Sequence, residues 1–462
     1  MSPAPNASQR EAAYQLDLRK RLRIAEQALL ARAPENDIEP SLDQITAVME
    51  LLGDPQRAFP VIHITGTNGK TSTARLVESL LRALGLRTGR FTSPHLHDIR
   101  ERIALDGRPI DVEKFLTAYD NVLPFLEIVD AADAAAGRPR MNYFQALVAI
   151  GYAAFADAPV DVAVVEVGLG GTWDATNVAD GQVAVVTPIA IDHTRLLGST
   201  EVQIALEKGG IIKAGAIAIV GVQDPDVIEV LTERGEEVGA RLAHEGNDFG
   251  VLTRDVAVGG QLVSLRGLAG DYKDLFLNLH GAHQAHNAAI ALAAVEAFLG
   301  GGEQPLDIDV VREAFAEVTS PGRLEIVRRS PTILVDAAHN PAGALTLATA
   351  LAEEFTFTTL VGVLAILTDK DAASMLETLE PVLAELVVTR STSPRSMNST
   401  ELGALAMEIF GDHRVTVIDD LPAALDRAAE LADESGVGGG VIATGSVTLA
   451  ADVRLLLGGQ PG

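Results

Sequence analysis

Between residues 61 and 73 the chain reads VIHITGTNGKTST, a buried-strand pattern that runs into a turn bracketed by two glycines and closed by Lys70-Thr71. Few segments constrain a fold as strongly. Val61, Ile62 and Ile64 give the strand, and the run Val162–Val167, apolar on both faces, reads as a central parallel strand covered by helices. Gly66 and Gly69 let the backbone fold tightly enough to aim several N–H groups at one point. The stretch from Thr71 to Leu84, stopped by Gly85, predicts a helix whose positive N-terminus faces that same point. Such a turn holds an anion: Lys70 brings a charge suited to β- and γ-phosphates, and Thr71 a hydroxyl suited to Mg²⁺. The strict phosphate-loop spacing asks for glycine where this chain has Ile64, so a structural turn remains the alternative until other parts of a site are found.

At 462 residues the chain exceeds a single core and predicts two or three domains. Its 47% hydrophobic and 21% charged residues are those of an ordinary globular protein. Without cysteine, disulfides, thiolate metal sites and a cysteine nucleophile are excluded. The formal charge of −27 argues against a nucleic-acid surface, which needs clustered Lys and Arg. In so acidic a chain, basic residues near glycine turns become informative: Lys70, Arg100, Arg102, Lys208, Lys213 and Arg323. MSPAPNASQR has no apolar signal region, and apolar stretches such as Ala146–Ala156 are too short to span a membrane. The expectation is a cytoplasmic monomer that acts on small molecules, with no membrane or nucleic-acid partner.

The first sixty residues read as helix over Glu11–Arg32, a break at Pro34–Pro40, and helix again over Leu42–Leu52. Strands are then predicted at 61–65, 87–91, 161–167, 183–187 and 216–221, with helices at 71–84, 111–120, 142–156 and 201–213. Residues 249–279 alternate around a Gly259-Gly260 turn, as a small antiparallel patch does, and a helix at 282–299 follows. Ser320-Pro321-Gly322 reads as a linker. Beyond it, strands at 332–336, 359–364, 385–390, 414–419 and 441–445, each with a helical pattern after it, predict a second, Rossmann-like domain. Gly436–Gly440 reads as a loop. The fold class is thus α/β: residues 1–320 form a phosphate-loop domain with a mainly parallel sheet and a small β patch, and residues 323–462 form a Rossmann-like domain.

Chemistry-bearing residues cluster at the predicted strand ends. Glu166 closes the apolar run Val162–Val165, where a carboxylate is either salt-bridged or binds a metal. Asp192-His193 follows Val183–Val186; a lone histidine there is a hydrogen-bonded structural residue or a ligand. Lys208, in Glu207-Lys208-Gly209-Gly210, is either a solvated lysine or, beside a cation, an amine with a depressed pKa. Thr92-Ser93-Pro94-His95, with Arg100 and Arg102 nearby, can serve Mg²⁺ and an anionic substrate. Asp336, His339 and Asn340 follow Ile333–Val335 and suit an amine or amino-acid partner, while Asn340-Pro341 also fits a helix N-cap.

Taken together, GTNGKTS (66–72), TSPHL (92–96) with RERI (100–103), EVGLGGTWDATN (166–177), DHTRLLG (192–198) with EKGGIIK (207–213), and DAAHNP (336–341) resemble the bacterial folylpolyglutamate synthase/dihydrofolate synthase family of the Mur-ligase superfamily. HQAHNAAIAL (283–292), SPGRLE (320–325) and ATGSVTLA (443–450) extend the resemblance. It implies a ligase that adds L-glutamate to dihydropteroate, a reduced folate or both, through an acyl phosphate, releasing ADP and phosphate. By position, Gly66, Thr67, Asn68, Gly69, Lys70 and Thr71 would hold the ATP phosphates, with Asn287, Arg323 and Asp336 also contacting ATP. Ser93, Glu166 and Thr71 would ligate a first Mg²⁺ and His193 a second. Lys208 matches the family's carbamylated lysine. The pteroyl group would lie near Asn142, Trp173, Asp174 and Ala175, and the incoming glutamate near His339 and Ser446. Lys70, Lys208, His193 and His339 are the implied catalytic set.

The chain departs from the family pattern at Gln145, Arg195 and Gly209. The first two bear on pteroyl preference. Gly209 is expected to cost roughly 1 kcal/mol of helix propensity and to loosen Lys208. Two rival readings are a Mur-type cell-wall ligase, for whose nucleotide-sugar domain the 65 residues before Gly66 leave little room, and a non-catalytic ATP-binding relative.

Overall fold

The computed structural model describes residues 7–34, 40–434, 436 and 438–458. The start of the N-terminal segment and most of the predicted break at Pro34–Pro40 lie outside the described residues. Two helices, α1 (Ala7–Leu30) and α2 (Asp43–Leu51), precede the first sheet. Its strands are β1 (Val61–Thr65), β2 (Thr88–Phe91), β3 (Ile103–Leu105), β4 (Arg108–Pro109), β5 (Val162–Glu166), β6 (Gly181–Val186), β7 (Ile217–Val220) and β8 (Arg241–His244), in spatial order β4-β3-β2-β5-β1-β6-β7-β8. From β2 to β8 neighbours run parallel, and β3–β4 add an antiparallel edge.

The helices of this half are α3 (Lys70–Ala83), α4 (Val112–Ala135), α5 (Tyr143–Asp157), α6 (Thr194–Leu197), α7 (Glu201–Lys208), α8 (Pro225–Val238), α9 (Ala282–Gly300) and α10 (Ile308–Glu317). Strand alternation sorts the apolar residues between two layers. Ile62, Ile64, Val162 and Val164 pack with α3, α9 and α10, whereas Val61, Ala163 and Val165 pack with α1, α2, α4 and α5. All five residues of β1 and of β5 are buried, as the sequence pattern requires. The expected antiparallel patch is a three-stranded sheet of β9 (Gly250–Ala257), β10 (Gly260–Arg266) and β11 (Asp271–Leu277).

The second domain contains β12 (Glu325–Arg329), β13 (Thr332–Val335), α11 (Pro341–Glu354), β14 (Thr359–Leu364), α12 (Ala372–Leu379), β15 (Glu385–Val388), α13 (Ser399–Phe410), β16 (Val415–Val417), α14 (Leu421–Glu434), β17 (Gly439–Thr444) and α15 (Val447–Leu456). Its sheet runs β12-β13-β17-β14-β15-β16, parallel except for the edge strand β12. Gly439 and Gly440 belong to β17 rather than to the expected loop. A Cβ on Gly439 would come within 2.0 Å of the Ala432 carbonyl, so the strand enters the sheet only as glycine. The predicted helix 201–213 ends at Lys208 and gives way to a short 3₁₀ turn at Gly209–Ile211. There Gly210 passes so close to Thr172 that a Cβ would meet its hydroxyl at 2.1 Å.

Candidate active site

Strand register assembles the site. Ile64 of β1 is in register with Glu166 of β5, and Phe91 of β2 with Val165, so the turn after β1, the carboxylate after β5 and Ser93 after β2 emerge side by side. The turn itself has little freedom. Gly66 and Gly69 sit at φ +140° and +90°, and a Cβ would fall 1.9 Å from Thr187 Oγ1 at Gly66 and 2.6 Å from Asn287 Oδ1 at Gly69. Asn287, on the buried face of α9, therefore abuts the phosphate loop.

Glu166 is 1% exposed. Its carboxylate accepts the Thr71 hydroxyl at 2.9 and 3.0 Å and the Ser93 amide at 3.3 Å. Burial pushes its pKa up, against the pull of Lys70 and these donors. Two lysines converge on the loop backbone. Lys70 Nζ donates to the Gly66 and Thr67 carbonyls at 3.1 and 3.0 Å, and Lys208 Nζ donates to the Gly66 carbonyl at 2.7 Å. Burial, reinforced by Lys70, holds Lys208 well below the ordinary lysine pKa. Gly209 is helical (φ −57°), and a Cβ there would meet only Leu231 and Arg234 side chains at 3.5 Å or more, so the position has room for alanine.

The second domain closes over this loop. Asn340 Nδ2 donates to Asn68 Oδ1 at 3.2 Å and to Asp192 Oδ2 at 2.9 Å, Asn68 returns a bond at 3.3 Å, and Lys370 Nζ donates to Asp192 Oδ1 at 2.6 Å. Burial raises the Asp192 pKa, but the cations around it, Lys370 among them, hold it below the ordinary carboxylate range. His339 lies 3.7 Å from Asp192, and its Nδ1 faces the Ala337 carbonyl at 2.9 Å. A carbonyl only accepts, so Nδ1 carries the proton and Nε2 is a lone pair. Burial, then Lys370, lowers the His339 pKa to about 4, which keeps the ring neutral. His193, exposed and in the left-handed region at φ 50°, lies 3.9 Å from Asp192. Partial desolvation of its ring, with Lys370, Lys70 and Lys208 adding to it, lowers its pKa to about 4. Among the described residues no hydrogen bond joins His193 to Glu166, Ser93 or Lys208.

The remaining expected residues border the same cleft. Asp336, which burial pushes up in pKa against the pull of Arg323, accepts the Leu324 and Ala338 amides at 2.8 Å each. Val335 and Ala443 are in register, which sets the His339 loop beside Ser446, the buried N-cap of α15. Arg323 donates to the Gly322 carbonyl. Asp174 is buried and holds the 169–176 segment together through Leu169 and Thr176, and Trp173 donates its amide to Glu207 at 3.4 Å. Asn142 caps α5 through the Gln145 amide, and Gln145 Oε1 returns the bond to the Asn142 amide. Gln145 thus does the capping work open to Glu or Gln alike, and its departure from the family pattern leaves the helix start unchanged. Arg195 is exposed. Arg100 pairs with Asp98, and Lys213 with the Asn177 and Ala179 carbonyls, which makes both structural. Arg102 stacks on Tyr143 and bonds His95. Lys370 and Asp192 were given no role by sequence. The only cue was position, each standing just beyond an apolar strand. Two surface concavities of about 410 and 330 Å³ lie at the opposite sheet edge, around Phe59, Asp180 and Ala214, away from this chemistry.

Residues 322–447 fit the glutamate ligase domain of Mur ligases. The chain is 50% identical to the dihydrofolate synthase/folylpolyglutamate synthase of Mycobacterium tuberculosis, over 94% of each chain. It belongs to the dihydrofolate synthase/folylpolyglutamate synthase family. The folylpolyglutamate synthase of Lacticaseibacillus casei is 35% identical over 90% of this chain and 94% of that one. Among solved structures, M. tuberculosis folylpolyglutamate synthase complexed with ADP superposes with a TM-score of 0.92 at 49% identity, covering 96% of this chain and 100% of that one. E. coli FolC in complex with DHPP and ADP superposes at 0.81 with 30% identity, covering 94% and 97%. Membership of this family makes the chain an ATP-dependent ligase of glutamate with the two-domain α/β fold. No helix among the described residues is long and apolar enough to cross a membrane.

Proposed function

We propose that this ligase joins L-glutamate to dihydropteroate, a reduced folate or both, with the chemistry in the cleft between its domains. The observation that carries the reading is the bonding of Asn340 to both Asn68 and Asp192, which brings the His339 loop of one domain onto the phosphate loop of the other. The substrate carboxylate attacks the γ-phosphorus of ATP, the bond to the β-bridging oxygen breaks, and ADP leaves. The glutamate amine then attacks the acyl carbon, phosphate departs with the bonding pair, and the amine proton is lost. Lys70, at the head of α3, stabilises charge on the transferring phosphoryl group. Neutral His339 offers Nε2 to the incoming amine. Closure around Asn340 keeps water from the acyl phosphate.

The donor set fits Mg²⁺. Glu166 is a buried carboxylate surrounded by a hydroxyl and an amide, with no cation hydrogen-bonded to it. A hard cation among such oxygens relieves the burial that raises its pKa. No group of three His, Asp or Glu among the described residues is arranged to hold a metal alone, so hydroxyls and ATP oxygens would complete the shell. Thr71, Ser93 and Glu166 would hold one ion, and His193, with Lys208 as its carbamate, a second. When bound, Mg²⁺ neutralises the β- and γ-phosphate oxygens.

ADP release tests the reading. Purified protein with ATP, Mg²⁺ and L-glutamate is expected to release ADP only when dihydropteroate or tetrahydrofolate is added. Absence of turnover with both compounds would rule the proposal out.

A further inference from the structure

Helix α11 is fastened to the first domain at both ends. Its N-cap, Asn340, bonds Asn68 and Asp192 beside the phosphate loop. Its last residue, Glu354, keeps its side chain out of solvent and meets three donors of the first domain: Arg254 on β9, the Gly281 amide at 2.6 Å, and His280 Nδ1 at 3.0 Å. Arg254 also reaches Glu353 at 3.1 Å and Gln261 at 2.6 Å, and Gln261 anchors in turn to the Leu279 and Gly281 carbonyls at 2.9 and 3.0 Å. None of these residues belongs to the phosphate site.

The 14-residue helix α11 carries the chain from one fastening to the other, about 20 Å at 1.5 Å per residue. A helix held at one point pivots; held at two, it has a direction. Asn340 makes one charge-assisted bond, to Asp192, and two between neutral amides, whereas the Glu354 carboxylate gathers three donors, a guanidinium among them. The cluster's other side is Gly281, immediately before α9, and α9 carries the Asn287 that abuts Gly69. The clamp therefore references α11 to the same helix that braces the phosphate loop.

We propose that Arg254 and Glu354 are positioning residues, and that the three-stranded antiparallel sheet serves as the dock for the second domain. Through α11 they set His339 over the loop when the acyl phosphate forms. The proposal rests on the ligase reading above. Loss of the clamp lets the acyl phosphate meet water before it meets the amine, so ATP is consumed without amide.

The test uses Arg254→Met, with Glu354→Gln as a second variant that keeps an acceptor for the Gly281 amide, and Arg254→Lys as the conservative control. The wild type is expected to release one ADP per amide. Arg254→Met should form amide about 10- to 100-fold more slowly, as a displacement near 1 Å at the reacting atoms implies. It should also release several ADP per amide, with a raised KM for glutamate and an unchanged KM for ATP. Arg254→Lys should recover much of the coupling. Because the chain has no cysteine, spin labels at Val258→Cys and Leu345→Cys, both exposed, report docking without reference to activity. One narrow distance is expected in the parent and a broad one in either variant. One ADP per amide in both variants overturns the proposal. If the parent itself does not turn over, the distance decides alone: an unchanged narrow distribution in the variants overturns the clamp and a broadened one supports it.

Discussion

Lys208→Ala is expected to lose about 10²- to 10³-fold in kcat, the cost of removing one preorganised charge-stabilising group, and to regain part of that loss in formate or acetate. Lys208 is 3% exposed, and its hydrogen-bonded partner is the Gly66 carbonyl rather than a carboxylate. Burial and the neighbouring Lys70 hold its pKa well below the ordinary value, which favours the neutral amine. That is the form that adds CO₂, and the resulting carbamate is an oxygen donor suited to Mg²⁺. A short carboxylate can occupy the space left by alanine and supply the same oxygens. Wild-type kcat in the alanine variant would remove the role.

The same lysine leaves a mark on stability. Its folded pKa lies below the unfolded value of about 10.4, so between the two the unfolded chain binds more protons. Stability of the wild type therefore rises with pH through that window. Lys208→Met, which keeps the volume and drops the charge, should lose this slope in thermal unfolding between neutral and alkaline pH. An identical pH dependence in both proteins would mean that Lys208 is protonated when folded.

Glu166→Gln is expected to lower kcat about 10³-fold, the scale of a lost transition-state charge contact, while leaving the metal-free fold as stable as before or more so. The carboxylate is buried without a cation bonded to it, and glutamine can still accept the Thr71 hydroxyl. Mg²⁺ with nucleotide should raise the melting temperature of the wild type by binding the native state and should do so much less in the variant. Equal stabilisation of both would remove Glu166 from the metal site.

Much of this site is legible in the chain because the relevant strands are central. β1 and β5 are buried throughout and largely apolar, so the sequence pattern locates them within a residue or so, and polar residues at or just beyond the end of such strands stand out: Thr71 after the turn, Glu166, Asp336. The strands that escape are edges, and the helices α8 and α10 escape with them. The β3–β4 hairpin is short, Arg241–His244 has one buried residue in four, and β12 has none that is buried. α4 runs to Ala135, past the predicted end at 120, because it tolerates Pro124 in its interior. Lys370, Asp192 and Glu354 escape for another reason. Their partners lie 178, 148 and 100 residues away in the other domain, and no local period encodes a contact made only when two domains close. At Gln145 and Gly209 the structure shows only local fit: Gln145 completes the cap of α5, and Gly209 continues the helical backbone with room for a Cβ.

The phosphoryl transfer to a carboxylate has a direct isotopic signature. When the pteroyl substrate carries ¹⁸O in its carboxylate, one labelled oxygen is expected in the inorganic phosphate for every amide formed. It passes there as the acyl phosphate breaks at the acyl carbon. Unlabelled phosphate accompanying amide formation would contradict the acyl-phosphate route and, with it, the reading of the phosphate loop as a ligase site.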